Sequence, residues 1–143
     1  MNHLRSSTTE TLPPLVLTSS IIDRLRGVAH AAMRNAPEVA EQLLAEIERA
    51  DVVSPEEMPA TVVAIGNWVT YQDMTSGSIR TIQLVLPHEA DTASQRISVV
   101  SPIGAALIGL SVGQVMAWHI HDQQVRQLTV LNVASDLIHA RND

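Results

Sequence analysis

The side chains of this 143-residue chain that can carry charge or bind a metal near neutral pH are six histidines, fifteen carboxylates and nine basic residues, every one an arginine. Without lysine there is no Schiff-base chemistry and no phosphate-loop lysine. Without cysteine there are no disulfides, no thiol catalysis and no thiolate metal sites. The one metal-like spacing is His119-x-His121 with Asp122, because residues i and i+2 of a strand share a face. These three fall at a predicted hairpin tip, where solvated polar side chains belong, so no metal site is expected. Glu56-Glu57 with Asp51 could be read as an acidic group for general acid–base work or for holding Mg²⁺. Adjacent glutamates on an extended joint point to opposite sides, which suits a solvated linker better than general acid–base work. There is no Gly-x-Ser-x-Gly elbow, glycine-rich phosphate loop or His-Glu-x-x-His. The expectation is a binding protein with no catalytic residue and no cofactor.

A formal net charge of −6 and arginines that never form a run disfavour direct binding to a phosphate backbone. A partner offering a basic surface fits this balance better. The N-terminus has no basic flank followed by an apolar stretch, and no apolar run approaches the ~18 residues of a membrane span. A cytoplasmic protein without membrane contact is expected. Trp68, Tyr71 and Trp118 are the only aromatic residues, so the core must be aliphatic, with these three as core and rim residues.

The elements follow from periodicity. Residues 1–13 are polar and aperiodic, and residues 1–17 are read as a mobile arm in which Leu15-Val16-Leu17 is a short strand or anchor. Thr18 or Ser19 offers an N-cap, and Ile21, Ile22, Leu25, Val28, Ala29 and Ala32 share one helical face. That helix should stop near Arg34. Pro37 suits the first turn of a second helix carrying Val39, Ala40, Leu43, Leu44, Ile47 and Ala50. Residues 18–53 are therefore predicted to form an antiparallel helical hairpin, a short coiled coil, each arm roughly 20 Å long at about 1.5 Å per residue. Its exposed tip carries Arg34, Asn35 and Glu38 and is a candidate probe. Residues 54–60 form a Pro-punctuated linker in which Ser54-x-x-Glu57 can cap a single turn.

Beyond the linker the period becomes two. Strands are predicted at 61–65, 68–72, 79–86, 96–100, 115–120 and 125–133, with turns at Gly66-Asn67 and Thr75–Ser78 and a polar loop over 88–94. Ser101-Pro102 starts a short apolar helix over 103–108, closed by Gly109. Residues 61–134 thus read as an α+β domain of mainly antiparallel strands, with 135–143 as a frayed tail. A helix apolar nearly all round must be buried, so the sheet should curl over it.

Two stretches resemble a known family. Residues 101–113, Ser-Pro-Ile-Gly-Ala-Ala-Leu-Ile-Gly-Leu-Ser-Val-Gly, are similar to the signature of the C-terminal domain of bacterial Gre transcript-cleavage factors. The Ser54–Pro59 joint followed by Val62-Val63 and a Gly-Asn-x-Val strand resembles a short branch of that family, the regulators of nucleoside diphosphate kinase. The resemblance runs from about Leu43 to Val133. It implies an FKBP-like curled antiparallel sheet wrapping one helix, and docking of a monomer at the rim of the RNA polymerase secondary channel with the helical hairpin directed inward. It also implies a docking role for Ser101 and Pro102 and an influence on nucleoside diphosphate kinase levels. Val100 stands where the family usually has a polar residue, and His121-Asp122-Gln123 replaces its Pro-Gly-Gly turn. Gre factors hold a second catalytic Mg²⁺ with a pair of acids at the tip of a long coiled coil. Here a single Glu38 on a short stalk implies polymerase binding without cleavage stimulation, in competition with Gre factors. Alternatives are an FKBP-like small-molecule or metal-binding regulatory module, or a prolyl isomerase, which would need an aromatic pocket that this composition scarcely supplies.

Overall fold

The computed structural model describes residues 12–119 and 125–138. The His121-Asp122-Gln123 turn, most of the arm and the end of the tail lie outside the described residues, as does the side chain of His119. The chain is α+β: strand β1 (Val16–Thr18), helices α1 (Ile22–Ala31) and α2 (Pro37–Arg49), strand β2 (Asp51–Val53), and then a five-stranded sheet with one short helix. The sheet holds β3 (Trp68–Asp73), β4 (Ile79–Val85), β5 (Arg96–Ser98), β6 (Val115–His119) and β7 (Val125–Ala134) in the order β5-β4-β3-β7-β6. Helix α3 (Pro102–Leu107) lies between β5 and β6 in the chain.

The helix pair is closed at its root by strands. β1 and β2 pair in parallel, Val16 opposite Asp51 and Thr18 opposite Val53, so α1 and α2 together form the crossover between them. β2 was not expected, because Asp51-Val52-Val53 is too short to show a period. Its pairing exists only because the two helices return the chain to β1. This pairing also corrects the start of α1. Thr18 is spent in β1 and the Ser19 N–H donates to the Val53 carbonyl at 2.8 Å, so neither caps the helix, whose first flanking residue is Ile21. α1 ends at Ala31 and not near Arg34, since residues 32–36 tighten into turns held by Ala36 N–H on the Ala32 carbonyl at 2.8 Å. The helices are 10 and 13 residues long, about 15 and 20 Å. They pack chiefly on each other, and α2 also packs on α3.

The predicted strand over 61–65 is not formed. Val62 makes one isolated bridge to Ser111, and Val63 exchanges bonds with Leu110 and Gly109 at 2.8 and 3.0 Å. The Asn67 side chain takes the Ala64 N–H at 2.9 Å and turns the chain before the ladder can extend. β4 and β5 run parallel, against the mainly antiparallel pattern, because the loop over 86–95 carries the chain back before it pairs. That loop contains single helical turns at 87–89 and 92–94, the second capped by Asp91 on the Ala93 N–H at 3.2 Å.

Alternation sets the buried face of the sheet: Val69 and Tyr71 of β3, Ile82 and Leu84 of β4, Met116 of β6, Leu128 and Val130 of β7. Ala105, Ala106 and Leu107 of α3 are fully buried, as the apolar run required. Leu25, Ala29, Leu43 and Ile47 of the helix pair join the same hydrophobic cluster, with Leu15 and Leu17 of the β1 segment. The β3–β4 turn is held by Asp73, which accepts from Thr75 and Ser76 N–H at 2.8 and 3.2 Å and from Arg126 Nη1 at 2.8 Å. Burial alone would raise the Asp73 pKa; the Arg126 bond and the two backbone N–H groups outweigh it and hold the carboxyl below its ordinary value.

Two helical glycines test this packing in opposite directions. A Cβ on Gly104 would fall 2.0 Å from the Ser98 carbonyl oxygen, whereas one on exposed Gly27 would meet nothing within 4 Å. Gly27→Ala is expected to stabilise the protein by about 0.5–1 kcal/mol. Gly104→Ala should destabilise it by roughly 2–4 kcal/mol, because backbone has to move. Urea unfolding midpoints of the two variants provide the check.

Candidate partner-binding site

The five candidate residues fall into two groups. Arg34 and Asn35 lie in the turn after α1, and Glu38 lies in the first turn of α2; all three are exposed. Pro37 takes the first helical position, where its missing N–H costs nothing, and no side chain caps the helix. Glu38 sits beside the helix N-terminus, a favourable place for a carboxylate. His30, Ala31, Met33, Arg34 and Asn35 line an open depression beside this turn. Among the described residues no ion pair joins Arg34 to Glu38.

Ser101 and Pro102 start α3 and are half-buried. The serine side chain is engaged within the chain: its Oγ donates to the Ser98 carbonyl at 2.7 Å and accepts the Gly104 N–H at 3.0 Å. The Ser98 Oγ in turn accepts the Val100 N–H at 2.9 Å. The β5–α3 corner is therefore a tight knot around one carbonyl. Ser101 fixes it from one side, and Gly104 lacks the Cβ that would strike the same oxygen. What this corner leaves for a partner is the Pro102 ring and the flanking half-buried Val100 and Ile103. Gly104 was missed as a determinant of the corner. Its signal was a glycine two residues after a helix-starting proline, a costly choice unless something approaches closely.

The three aromatics do not line one pocket. Trp68 and Tyr71 occupy opposite faces of β3, with Tyr71 in the core. Trp118 sits half-buried on β6 opposite Arg126, its Nε1 buried without a partner among the described residues. Burial raises the Tyr71 pKa, against the pull of Arg80. The His119-x-His121-Asp122 spacing lies outside the described side chains, and Glu56 and Glu57 are exposed in a helical turn where Glu57 accepts the Ser54 N–H at 3.4 Å. No helix among the described residues is long and apolar enough to cross a membrane.

The fold of this chain is similar, over most of its length, to that of a prokaryotic transcription elongation factor of known structure. Residues 58–135 match the family model of the transcription elongation factor GreA/GreB C-terminus, and the chain belongs to that family. Residues 13–53 match the model of the Rnk N-terminus. The chain is 37% identical over 95 residues to the regulator of nucleoside diphosphate kinase of Escherichia coli (strain K12), spanning 66% of this chain and 70% of that protein. It is 43% identical over 70 residues to the transcription elongation factor GreA of Thermosipho africanus, which covers 49% of this chain and 44% of that one. Among solved structures, the prokaryotic transcription elongation factor GreA/GreB from Nitrosomonas europaea is similar with a TM-score of 0.66 and 32% identity, over 84% of this chain and 98% of that chain. The chain thus carries the Rnk N-terminus match and the GreA/GreB C-terminus match one after the other.

Ser101→Ala removes both bonds of the corner hydroxyl and is expected to cost about 1 kcal/mol. A thermal midpoint lower by roughly 3–4 °C, with the overall fold retained by circular dichroism, is the expected reading.

Proposed function

We propose that this protein is a cytoplasmic, monomeric regulator that binds RNA polymerase at the rim of the secondary channel, competes there with Gre factors and leaves transcript cleavage unstimulated. The observation that carries this reading is the turn between α1 and α2, where one carboxylate, Glu38, stands exposed. A divalent cation held at a distant active centre requires several oxygen ligands. The single glutamate of the stretch Arg34 to Glu38, between helices of 10 and 13 residues, supplies neither the ligands nor the reach. The family membership and the Pro102 corner support polymerase as the partner. In this reading the head formed by residues 61–134 grips, residues 54–60 connect, and the helix pair of residues 18–53 enters the channel with Arg34, Asn35 and Glu38 foremost. Any effect on nucleoside diphosphate kinase follows from transcription and needs no direct nucleic-acid contact.

Core RNA polymerase should retain the purified protein on a column, and a Gre factor in excess should displace it. Binding without displacement moves the site off the channel rim; no binding removes the proposal. A backtracked elongation complex should show no faster transcript cleavage when the protein is added, and vigorous cleavage would refute the reading of Glu38. Ser101→Asp combined with Pro102→Ala is expected to weaken polymerase affinity at least ~10-fold, about 1.4 kcal/mol.

A further inference from the structure

Glu46 lies on α2 one turn before Arg49, on the face that also buries Leu43 and Ile47. Its side chain is 3% exposed. One carboxyl oxygen, Oε2, accepts Gln42 Nε2 at 3.2 Å; the other, Oε1, is buried and has no partner among the described residues. Arg49 does not close an ion pair with it. Its Nη1 donates instead to the Pro13 carbonyl and so ties the start of the β1 segment to the end of α2, while its Nη2 is buried without a partner among the described residues. Among the described residues, the elements packed against α2 bring no other buried charge to Glu46. Helix α3 has no ionisable residue, and Asp23, Arg24, Arg26 and His30 of α1 and Asp51 of β2 are all exposed.

A carboxylate in this place would lose its hydration and gain a single neutral hydrogen bond, whereas the protonated acid can stay buried. We propose that Glu46 is a proton-operated latch at the root of the helix pair: protonated, it lets α2 sit closed against α1 and α3, and release of the proton accompanies opening of α2. The inference needs nothing from the polymerase reading, and its test uses the protein alone.

Burial pushes the Glu46 pKa from 4.5 up to about 8, against the smaller opposing effects of the Gln42 bond and the Arg49 charge. The sign follows from linkage. A closed state that keeps a proton which the open state gives up is favoured at low pH, and this advantage declines as pH rises. It is complete below about pH 4.5 and exhausted above about pH 8.

Hydrogen exchange of the α2 amides, corrected for the intrinsic pH dependence of exchange, reads the opening constant directly. Between pH 5.5 and 7.5 this constant should rise by about tenfold per unit in the wild type. In Glu46→Gln, which keeps the shape and cannot ionise, it should stay flat. An equal rise in both proteins overturns the latch. Carbon-13 NMR of the labelled Glu46 carboxyl in the wild type gives an independent reading that survives if the variant folds poorly. A midpoint well above neutral is expected, moving higher still in Arg49→Gln; a midpoint near the ordinary glutamate value overturns the proposal.

Discussion

The peptide of Gly109 joins the two parts of this molecule. Its carbonyl accepts the Val16 N–H of β1 at 3.0 Å, and its own N–H donates to Val63 at 3.0 Å. One residue thereby connects the strand that leads into the helix pair with the segment that leads into the sheet. Its φ of +83° belongs to the left-handed region, and a Cβ there would stand 3.3 Å from both Leu15 Cβ and the Val16 oxygen. Glycine satisfies the backbone angle and the close approach together. Because β1 is fixed at this point, β2 can pair with it in parallel, and both ends of the helix pair become anchored to one place on the head.

The same logic governs the β5–α3 corner. The Ser101-Pro102-Ile103-Gly104 sequence of this chain has a structural account that needs no partner. Serine caps the helix and holds the Ser98 carbonyl, proline fills the position whose N–H needs no partner, and glycine leaves room for the carbonyl. In the proposed docking, contact would be confined to what the knot leaves outward. This separates Ser101, a positioning residue, from Pro102, a surface that another protein can touch.

Charge is distributed so that each buried polar group has a distinct way of being tolerated. Asp73 is satisfied by Arg126 and two backbone N–H groups and stays ionised as a clamp for the β3–β4 turn. Glu46 receives one side-chain amide and is favoured as the neutral acid. The exposed acids Glu38, Glu41 and Glu48 leave α2 negative on its outer side. That is compatible with a partner of basic surface; within the turn itself, residues 32–38, Glu38 is the single carboxylate.

Most elements were legible in the sequence because local signals dictate them. Apolar residues at helical spacing gave α1 and α2, Ser101-Pro102 and Gly109 bracketed α3, and period-two runs gave β3, β4, β6 and β7 within a residue or two. The exposed trio Arg34, Asn35 and Glu38 was equally legible, since a turn between two amphipathic helices has nowhere to be buried. Tertiary structure decided what depends on partners distant in the chain. It made a strand of Asp51–Val53 by bringing it to β1, and denied one to 61–65 because Asn67 turns the chain there. It turned β5 parallel to β4, and it committed the Ser101 hydroxyl inward. The state of Glu46 was also decided there: in the sequence it is one acid among several on an amphipathic helix, and only packing takes away its water.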